Sequence, residues 1–333
     1  MAGRKRKQDM AKRFINQLVD GEALEDIFLL TDKQLRANRN AALYLLVELR
    51  DKTGAIQGRM WNVTEESTGH VKPGDYVRIR GKVQTYLGGL QMIITHITPL
   101  PVESVNVDDF VRSSGIDGEK LRRRLTEILE GLANADARAL MAAFLADDAL
   151  MAMFCKVPAG TKAHHAYRGG LLEHVVNMLE AALRIVDLYP AVDRDTLCCG
   201  IFLHDLGKTR ELAEEAGAPY TDEGQLIGHI TIAVEMLNEK LAAAEAILGR
   251  PVSRELILRL KHMIVSHHGQ YEYGSPKLPM TPEAIALHHL DNLDAKIHEF
   301  NRDIMDDPNP QSNWTQFNPR LDRKLFKGLK SPT

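Results

Sequence analysis

The stretch Phe202-Leu203-His204-Asp205-Leu206-Gly207-Lys208 decides the fold of the C-terminal part of this 333-residue chain. Residues that can also bind a divalent cation surround it at helix-scale intervals: His174, His229, His267, His268 and Asp291. Of the 13 histidines in the chain, eleven lie between His164 and His298. Neutral imidazole carries polar nitrogens that need partners, so a core packed only for volume does not explain this density. The pattern predicts a metal centre.

Length and composition favour a two-domain globular protein. The chain is too long for one typical domain, its hydrophobic content is 44%, and no apolar run approaches the ~18 residues of a membrane helix. The basic N-terminus has no apolar stretch behind it, which excludes a secretory signal. Cys155, Cys198 and Cys199 lack metal-binding spacing and are typical of reduced thiols in a cytoplasmic protein. A net charge of −3 does not by itself predict a polyanionic partner.

The N-terminal part has the period of β-strands. From about Leu24 to Pro99, short alternating runs are separated by turn residues, and Asp75–Tyr86 alternates most clearly. In that run Val77, Ile79 and Val83 share one face. The other face carries Tyr76, Arg78, Arg80 and Lys82. Gly88-Gly89 predicts a hairpin turn into Leu90–Ile97. Five strands with an interruption between the third and fourth are typical of an OB-fold barrel.

Beyond about Gly118 the period changes to 3.6, which predicts a helical domain. The predicted helices are Glu119–Asn134, Ala135–Ala146, Leu171–Leu188, Asp193–Leu206, Glu223–Leu248, Ser253–His268 and Thr281–Asp306. The fold class is therefore multi-domain α+β, a five-stranded OB-fold barrel followed by an all-α bundle. The predicted divisions are a basic segment (1–19), the barrel (20–105), a linker (106–118), the bundle (119–306) and a tail without a predicted folded element (307–333).

The donor types favour catalysis by a pair of divalent ions. Imidazole and carboxylate suit first-row metals, and an aspartate can bridge two ions where histidine cannot. The candidate ligands come from five predicted helices, so they meet only if those helices bundle around one pocket. Any single histidine of the set has a simpler interpretation as a hydrogen-bonded or surface imidazole.

These motifs support a family resemblance that covers about residues 20–305. Gly169–His174, Leu203–Lys208, Gly228–Ile230, Ser266–Gly269 with Gly274–Pro276, and Asp291–Lys296 resemble the motifs of HD-superfamily phosphohydrolases. With an OB-fold ahead of them, they resemble the YhaM-type 3′→5′ exoribonucleases. The resemblance implies an OB domain that binds single-stranded nucleic acid and an HD domain that hydrolyses phosphodiesters with manganese or a similar ion.

The resemblance also implies ligand sets. One ion would be held by His174, His204, Asp205 and Asp291, as in HD proteins generally. A second would be held by His229, His267 and His268 with Asp205 bridging, as in two-metal members. Three-metal members have a glutamate four residues before the first histidine, where this chain has Gly170.

Several further residues are candidates for phosphate handling and proton transfer. Two cations would acidify a bridging hydroxide for in-line attack on phosphorus. Lys208 is predicted to contact a phosphate oxygen, although a solvated lysine at a helix C-terminus is the simpler reading. His164 or His165 is the candidate general acid, and Arg168 adds a cation for the nucleic acid. Asp294, one turn after Asp291, would orient a ligand or the attacking water.

Candidate nucleic-acid contacts in the barrel are basic and aromatic. Single-strand binders pair cations with aromatic platforms. The candidates are Trp61, Arg59, Tyr76, Arg78, Arg80 and Lys82. An ordinary solvated strand face with a partly buried Trp61 is the alternative.

The residues together with the resemblance therefore predict a cytoplasmic, metal-dependent exonuclease acting on single-stranded RNA or also single-stranded DNA, with no membrane partner. Its 3′→5′ polarity is implied by the resemblance alone. We expect two divalent ions, with Mn²⁺ first and Fe, Co, Ni, Zn or Mg as alternatives. One alternative is a nucleotide or cyclic-nucleotide phosphohydrolase with a structural barrel. The other is a nucleic-acid-binding protein without turnover.

Overall fold

A computed structural model describes residues 12–38, 42–86, 89–110, 117–160, 167–212, 220–307, 312–318 and 320–329. The chain forms two compact units, and Ser113–Arg302 make up the second. The first contains the barrel together with the residues from Asp303 onward. No helix in the described part of the chain is long and apolar enough to span a membrane.

Five strands close into a barrel in the order β1-β2-β3-β5-β4. The strands are β1 (Ala23–Ala37), β2 (Leu43–Asp51), β3 (Gly54–Trp61), β4 (Tyr76–Tyr86) and β5 (Gly89–Leu100). A short helix, α1 (Glu65–Thr68), interrupts the strands between β3 and β4. β3 pairs with β5 in parallel and β1 pairs with β4, which leaves no open edge in the barrel. The predicted five-stranded OB-fold barrel is confirmed.

Alternation along the strands fills the barrel interior. Val77, Ile79 and Val83 of β4 are fully buried in the same core as Leu45 and Leu49 of β2. Gly58 leaves room for inward-facing side chains, because a Cβ there would lie 2.7 Å from side-chain carbons of Val47 and Ile94. The predicted inward face of β4 is therefore correct, although Gly88 of the predicted turn lies outside the described residues.

The second unit is a bundle of ten described helices: α2 (Gly118–Glu130), α3 (Ala135–Leu145), α4 (Asp148–Phe154), α5 (Gly170–Ile185), α6 (Arg194–Leu203), α7 (Lys208–Glu211), α8 (Asp222–Ile227), α9 (His229–Leu248), α10 (Arg254–Ser266) and α11 (Pro282–Met305). Polar caps start several of them: Asp193 accepts from the Thr196 N–H, and Ser253 accepts from the Leu256 N–H. One apolar core contains side chains of α2 to α6 and of α9 to α11. Cys198 and Cys199 lie in this core as free thiols.

Two helix predictions differ from the structure. The helix predicted over Glu223–Leu248 is divided at Gly228, whose φ of 77° only glycine adopts readily. This break makes His229 the first residue of α9. The short helices α4 and α7 were not predicted, because one or two turns show too little periodicity.

The C-terminal tail contains a folded element that the sequence did not predict. Isolated bridges pair Trp314 with Phe326 and Asn318 with Arg323, in an antiparallel arrangement. The N–H of Thr315 donates to the Leu325 carbonyl at 2.8 Å, and both residues are buried. The segment is too short and too polar for its pairing to show as a strand pattern.

Candidate metal centre and nucleic-acid surface

All seven predicted ligands meet in one cluster. His174 lies in the second turn of α5, His204 and Asp205 follow the last residue of α6, and His229 begins α9. His267 and His268 follow α10, and Asp291 is in the middle of α11. Neighbouring imidazole rings in the cluster have centroids 4.3 to 5.6 Å apart. Five segments far apart in sequence therefore deliver their donors to one place.

The cluster has two halves. The carboxylate half contains His174, His204 and Asp205, and the histidine half contains His229, His267 and His268. Within each half the candidate ligand atoms lie within 4.8 Å of one another. Asp291 joins the carboxylate half, because its Oδ1 lies 3.3 Å from Nε2 of His174.

Asp205 lies between the halves. Its Oδ2 is 3.4 Å from Nε2 of His204, in the carboxylate half. Its Oδ1 is 3.5 Å from Nε2 of His229 and 3.7 Å from Nε2 of His267, in the histidine half. One carboxylate thus offers an oxygen to each half, which is the geometry a bridging ligand needs.

Every histidine of the cluster is oriented by its Nδ1. The acceptors are Asp294 Oδ2 at 2.7 Å for His174, the Ile201 carbonyl at 2.7 Å for His204, Glu211 Oε1 at 3.1 Å for His229, the Ile264 carbonyl at 2.8 Å for His267 and the Tyr273 carbonyl at 2.8 Å for His268. Because these partners accept, Nδ1 of each ring carries a proton, and Nε2 is the nitrogen that faces the rest of the cluster. Nε2 is therefore the candidate ligand atom of all five histidines.

The buried polar atoms of the cluster fit a divalent cation. Among the residues that the structure describes, Nε2 of His204, His229 and His267 and Oδ1 of Asp205 are buried without a hydrogen-bond partner. Leaving such atoms uncompensated is costly. Imidazole nitrogen and carboxylate oxygen are donors that first-row divalent metals accept. The residues present thus fit a divalent cation, as the resemblance implies.

The carboxylates of the cluster are held ionised. Burial opposes the charge on Asp205, but Lys208 and His204 outweigh it and keep the pKa of Asp205 well below its usual range. Burial likewise opposes the charge on Asp291, and its hydrogen bond with His174 outweighs that effect and lowers its pKa. Both side chains therefore carry negative charge at neutral pH.

The histidines of the two halves differ in proton affinity. Burial lowers the pKa of His267 and of His268, and neighbouring imidazoles lower both further. Burial also disfavours protonation of His174, but hydrogen bonds with Asp291 and Asp294 outweigh it and raise its pKa to about 9. A cation entering the carboxylate half must therefore displace a proton from His174, whereas His267 and His268 are already neutral.

The other predicted catalytic residues lie as follows. The Lys208 ammonium donates to Asp205 Oδ2 at 2.6 Å and to the Ala159 carbonyl at 2.5 Å, so it is engaged inside the bundle rather than presented to a phosphate as predicted. Asp294 contacts His174 and thus orients a candidate ligand. Arg168 is exposed two residues before α5. His164 and His165 lie outside the described residues.

Glu211 is a site residue that the sequence prediction missed. It is the last residue of α7 and accepts from His229. Asp294 was found because it follows Asp291 by one helical turn. Glu211 and His229 are 18 positions apart, and no local pattern links them.

The barrel presents an aromatic and cationic outer surface on β2, β3 and β4. Trp61 and Tyr44 are cross-strand partners with ring centroids 5.1 Å apart. The Arg59 guanidinium lies over the Tyr86 ring, 5.0 Å from its centroid. Trp61 is 44% exposed and Tyr86 is 49% exposed, so both rings are accessible. Tyr44 and Tyr86 were not predicted, although each follows the alternation of its strand.

Only some residues of the predicted polar face of β4 are free to contact a nucleic acid. Arg78 and Lys82 are exposed, whereas Arg80 is exposed but forms an ion pair with Glu25 at 2.5 Å. The prediction for Tyr76 is wrong: the residue is 6% exposed, and its ring packs against Phe110 at a centroid distance of 4.9 Å. Phe110 follows the last strand, and its contact with Tyr76 could not be read from strand alternation.

Comparisons with known proteins agree with both units. An OB-fold nucleic acid binding domain family matches residues 30–100, and the HD domain family matches residues 171–296. The chain is 36% identical over 283 residues to the 3′-5′ exoribonuclease YhaM of Bacillus subtilis (strain 168), covering 85% of this chain and 88% of that protein. It is 38% identical over 294 residues to YhaM of Geobacillus sp. (strain WCH70), covering 88% of each.

A third relative, YhaM of Bacillus velezensis, is 38% identical over 280 residues, covering 83% of this chain and 86% of the relative. The similarity runs through both domains and is not confined to the metal-binding motifs. The chain belongs to the YhaM family of 3′-5′ exoribonucleases, and its helical unit is a divalent-metal-binding HD domain preceded by an OB-fold.

Proposed function

We propose that the protein is a metal-dependent 3′→5′ exonuclease that hydrolyses the phosphodiester bonds of single-stranded RNA, with single-stranded DNA as a second substrate. The observation that carries this proposal is the convergence of buried Nε2 atoms and Asp205 oxygens in one cluster. The relatives named as 3′-5′ exoribonucleases, which this chain matches over most of its length, support the choice of substrate and polarity.

We further propose two ions in each chain, one in each half of the cluster, with Mn²⁺ as the first candidate. His174, His204 and Asp291 would hold one, and His229, His267 and His268 the other, with Asp205 shared between them. Bound divalent ions would neutralise charge on phosphate oxygens and lower the pKa of water. Mixed imidazole and carboxylate donors favour manganese, iron, cobalt or zinc over magnesium.

Hydrogen bonds within the protein orient the proposed metal ligands. Five Nδ1 hydrogen bonds fix the orientation of the imidazole rings, with Nε2 of each ring as the candidate ligand atom. Lys208 balances the charge of Asp205 inside the bundle. The exposed Tyr271 and Tyr273 follow His267 and His268 in the chain, and Tyr273 is tied to His268 through its carbonyl.

The barrel surface is the proposed site for the single strand. Stacking on aromatic rings is tolerant of sequence because every base has a π-face. Trp61, Tyr44 and Tyr86 supply rings, and Arg59, Arg78 and Lys82 supply cations for the backbone. A cytoplasmic location belongs to the proposal as well, supported by the free thiols of Cys198 and Cys199.

Digestion of end-labelled oligonucleotides tests the proposal. Metal-stripped protein is resupplied with single ions and given single-stranded RNA or DNA labelled at either end. We expect a 3′ label to be released at once as a mononucleotide and a 5′ label to give a descending ladder, with the highest rate in Mn²⁺. Internal cleavage, release from the 5′ end, or activity on free nucleotides alone would contradict it.

A further inference from the structure

Glu211 makes two contacts with one residue of the metal cluster. Its Oε1 accepts the Nδ1–H of His229 at 3.1 Å and also the main-chain N–H of His229 at 3.1 Å. Glu211 is 8% exposed, and burial strengthens a charge-assisted hydrogen bond relative to one in water. Both the backbone and the ring of His229 are therefore held by a single carboxylate.

The backbone contact has a local cause. His229 is the first residue of α9, whose early N–H groups lack intrahelical acceptors. The residue before it is Gly228, which has no side chain to cap them. Glu211, delivered by α7, replaces the missing cap.

Two glycines allow close backbone packing around this contact, Gly207 against the start of α9 and Gly224 of α8 against the end of α7. A Cβ on Gly207 would lie 2.0 Å from the His229 carbonyl oxygen, and a Cβ on Gly224 would lie 2.3 Å from the Glu211 carbonyl oxygen. The Thr221 N–H donates to that same Glu211 carbonyl at 2.9 Å. These close backbone contacts leave Glu211 and His229 little freedom to move relative to each other.

The contact with Glu211 sets the orientation of His229 within the histidine half of the cluster. With Nδ1 bound to Glu211, the His229 ring directs Nε2 toward Asp205 Oδ1 at 3.5 Å. The other two histidines of this half, His267 and His268, are oriented by main-chain carbonyls. Among the described residues, Glu211 is thus the one side chain that accepts from the Nδ1 of a histidine in the histidine half.

We infer that Glu211 is the positioning residue that sets the cation affinity of the histidine half, through His229. Asp294 has the corresponding place in the carboxylate half, where it accepts from Nδ1 of His174. Each half therefore has its own carboxylate behind one imidazole, and the two should control different ions. The inference rests on the proposed two-cation centre.

Equilibrium dialysis of metal-stripped, full-length protein against Mn²⁺ tests this inference, with bound metal counted by mass spectrometry. Wild type should bind two ions. Glu211→Ala should keep one with an affinity within about twofold of wild type and lose about 10- to 100-fold in affinity for the other. Glu211→Gln, whose amide oxygen can still accept from His229, should recover much of the loss. Asp294→Ala is the matched control and should weaken the opposite ion.

A double-mutant comparison shows whether Glu211 acts through His229. His229→Ala should remove the same ion, and adding Glu211→Ala should weaken binding no further. A merely structural cap would lower the melting temperature of Glu211→Ala without changing metal affinity, and that result would overturn the inference. Equal weakening of both ions would also overturn it. A wild-type stoichiometry below two would overturn the two-cation proposal itself, and the inference with it.

Discussion

The candidate nucleic-acid-binding groups on the outer surface of the barrel are exposed, whereas the candidate metal ligands in the bundle are buried. On the barrel, Trp61 and Tyr86 are about half exposed, and the ring of Trp61 lies beside Tyr44 while that of Tyr86 lies beside the Arg59 guanidinium. In the bundle, His174 and His204 are fully buried, and a hydrogen bond at Nδ1 fixes the orientation of each ring. Exposed side chains contribute separately to RNA binding, whereas buried ligands must all be present to hold a cation. A single substitution should therefore reduce activity much more in the cluster than on the barrel.

The largest expected effect is that of Asp205→Asn. The amide retains an acceptor for Lys208 but cannot bridge the two halves, so hydrolysis of a single-stranded RNA should fall by about 10³-fold. Binding of the same oligonucleotide, followed by fluorescence anisotropy, should stay within about twofold of wild type. Normal turnover would reject Asp205 as the shared ligand.

Trp61→Ala tests whether the barrel surface binds the single strand. Loss of one stacking ring should weaken oligonucleotide binding by about 1–3 kcal/mol, or roughly 5- to 150-fold, without changing kcat on a small chromogenic phosphodiester. Tyr76→Phe is the matched control, because Tyr76 is aromatic and buried against Phe110. If both variants bind RNA as wild type does, the barrel surface is not the strand-binding site.

A pH titration should separate the two halves of the cluster. The His174 pKa is raised to about 9, so below that pH a cation must displace a proton, and apparent affinity should rise up to ~10-fold per pH unit between 6.5 and 8.5. His267 and His268 have lowered pKa values and are already neutral, so they add no such dependence.

Calorimetry in buffers of different ionisation enthalpy measures the protons released on Mn²⁺ binding. Near pH 7.5 we expect close to one proton for the ion that contacts His174. The complementary variant is Asp294→Asn, which removes a charge that raises the His174 pKa and should therefore flatten the pH dependence. An unchanged slope in that variant would contradict the explanation.

The smallest expected effects come from the cations of β4. Arg78→Ala and Lys82→Ala should each weaken RNA binding a few-fold and reduce the salt dependence by about 0.7 to 1 per contact. Arg80→Ala should do less, since Glu25 already neutralises that guanidinium. Equal effects at all three positions would indicate that the Arg80–Glu25 pair opens when RNA binds.

Much of the fold was predictable because local physics repeats along the chain. Alternation placed Val77, Ile79 and Val83 inside the barrel, and the return of histidine and aspartate at helix-scale intervals identified the seven residues that cluster. The break at Gly228 was harder to place, because a glycine within a helical pattern does not reveal whether its φ is positive. The tail pairing of Trp314 with Phe326 left no readable pattern at all.

The sequence by itself determined which chemical groups this protein has and, through period and motif, which secondary structure carries them. Tertiary structure alone decided how those groups meet. It buried Tyr76 under Phe110, directed Lys208 to the distant Ala159 carbonyl, and placed Glu211 behind His229. The reason is that hydrogen bonds and side-chain packing act over about 3–5 Å in space, whereas sequence patterns report neighbours only within a turn or a strand pair.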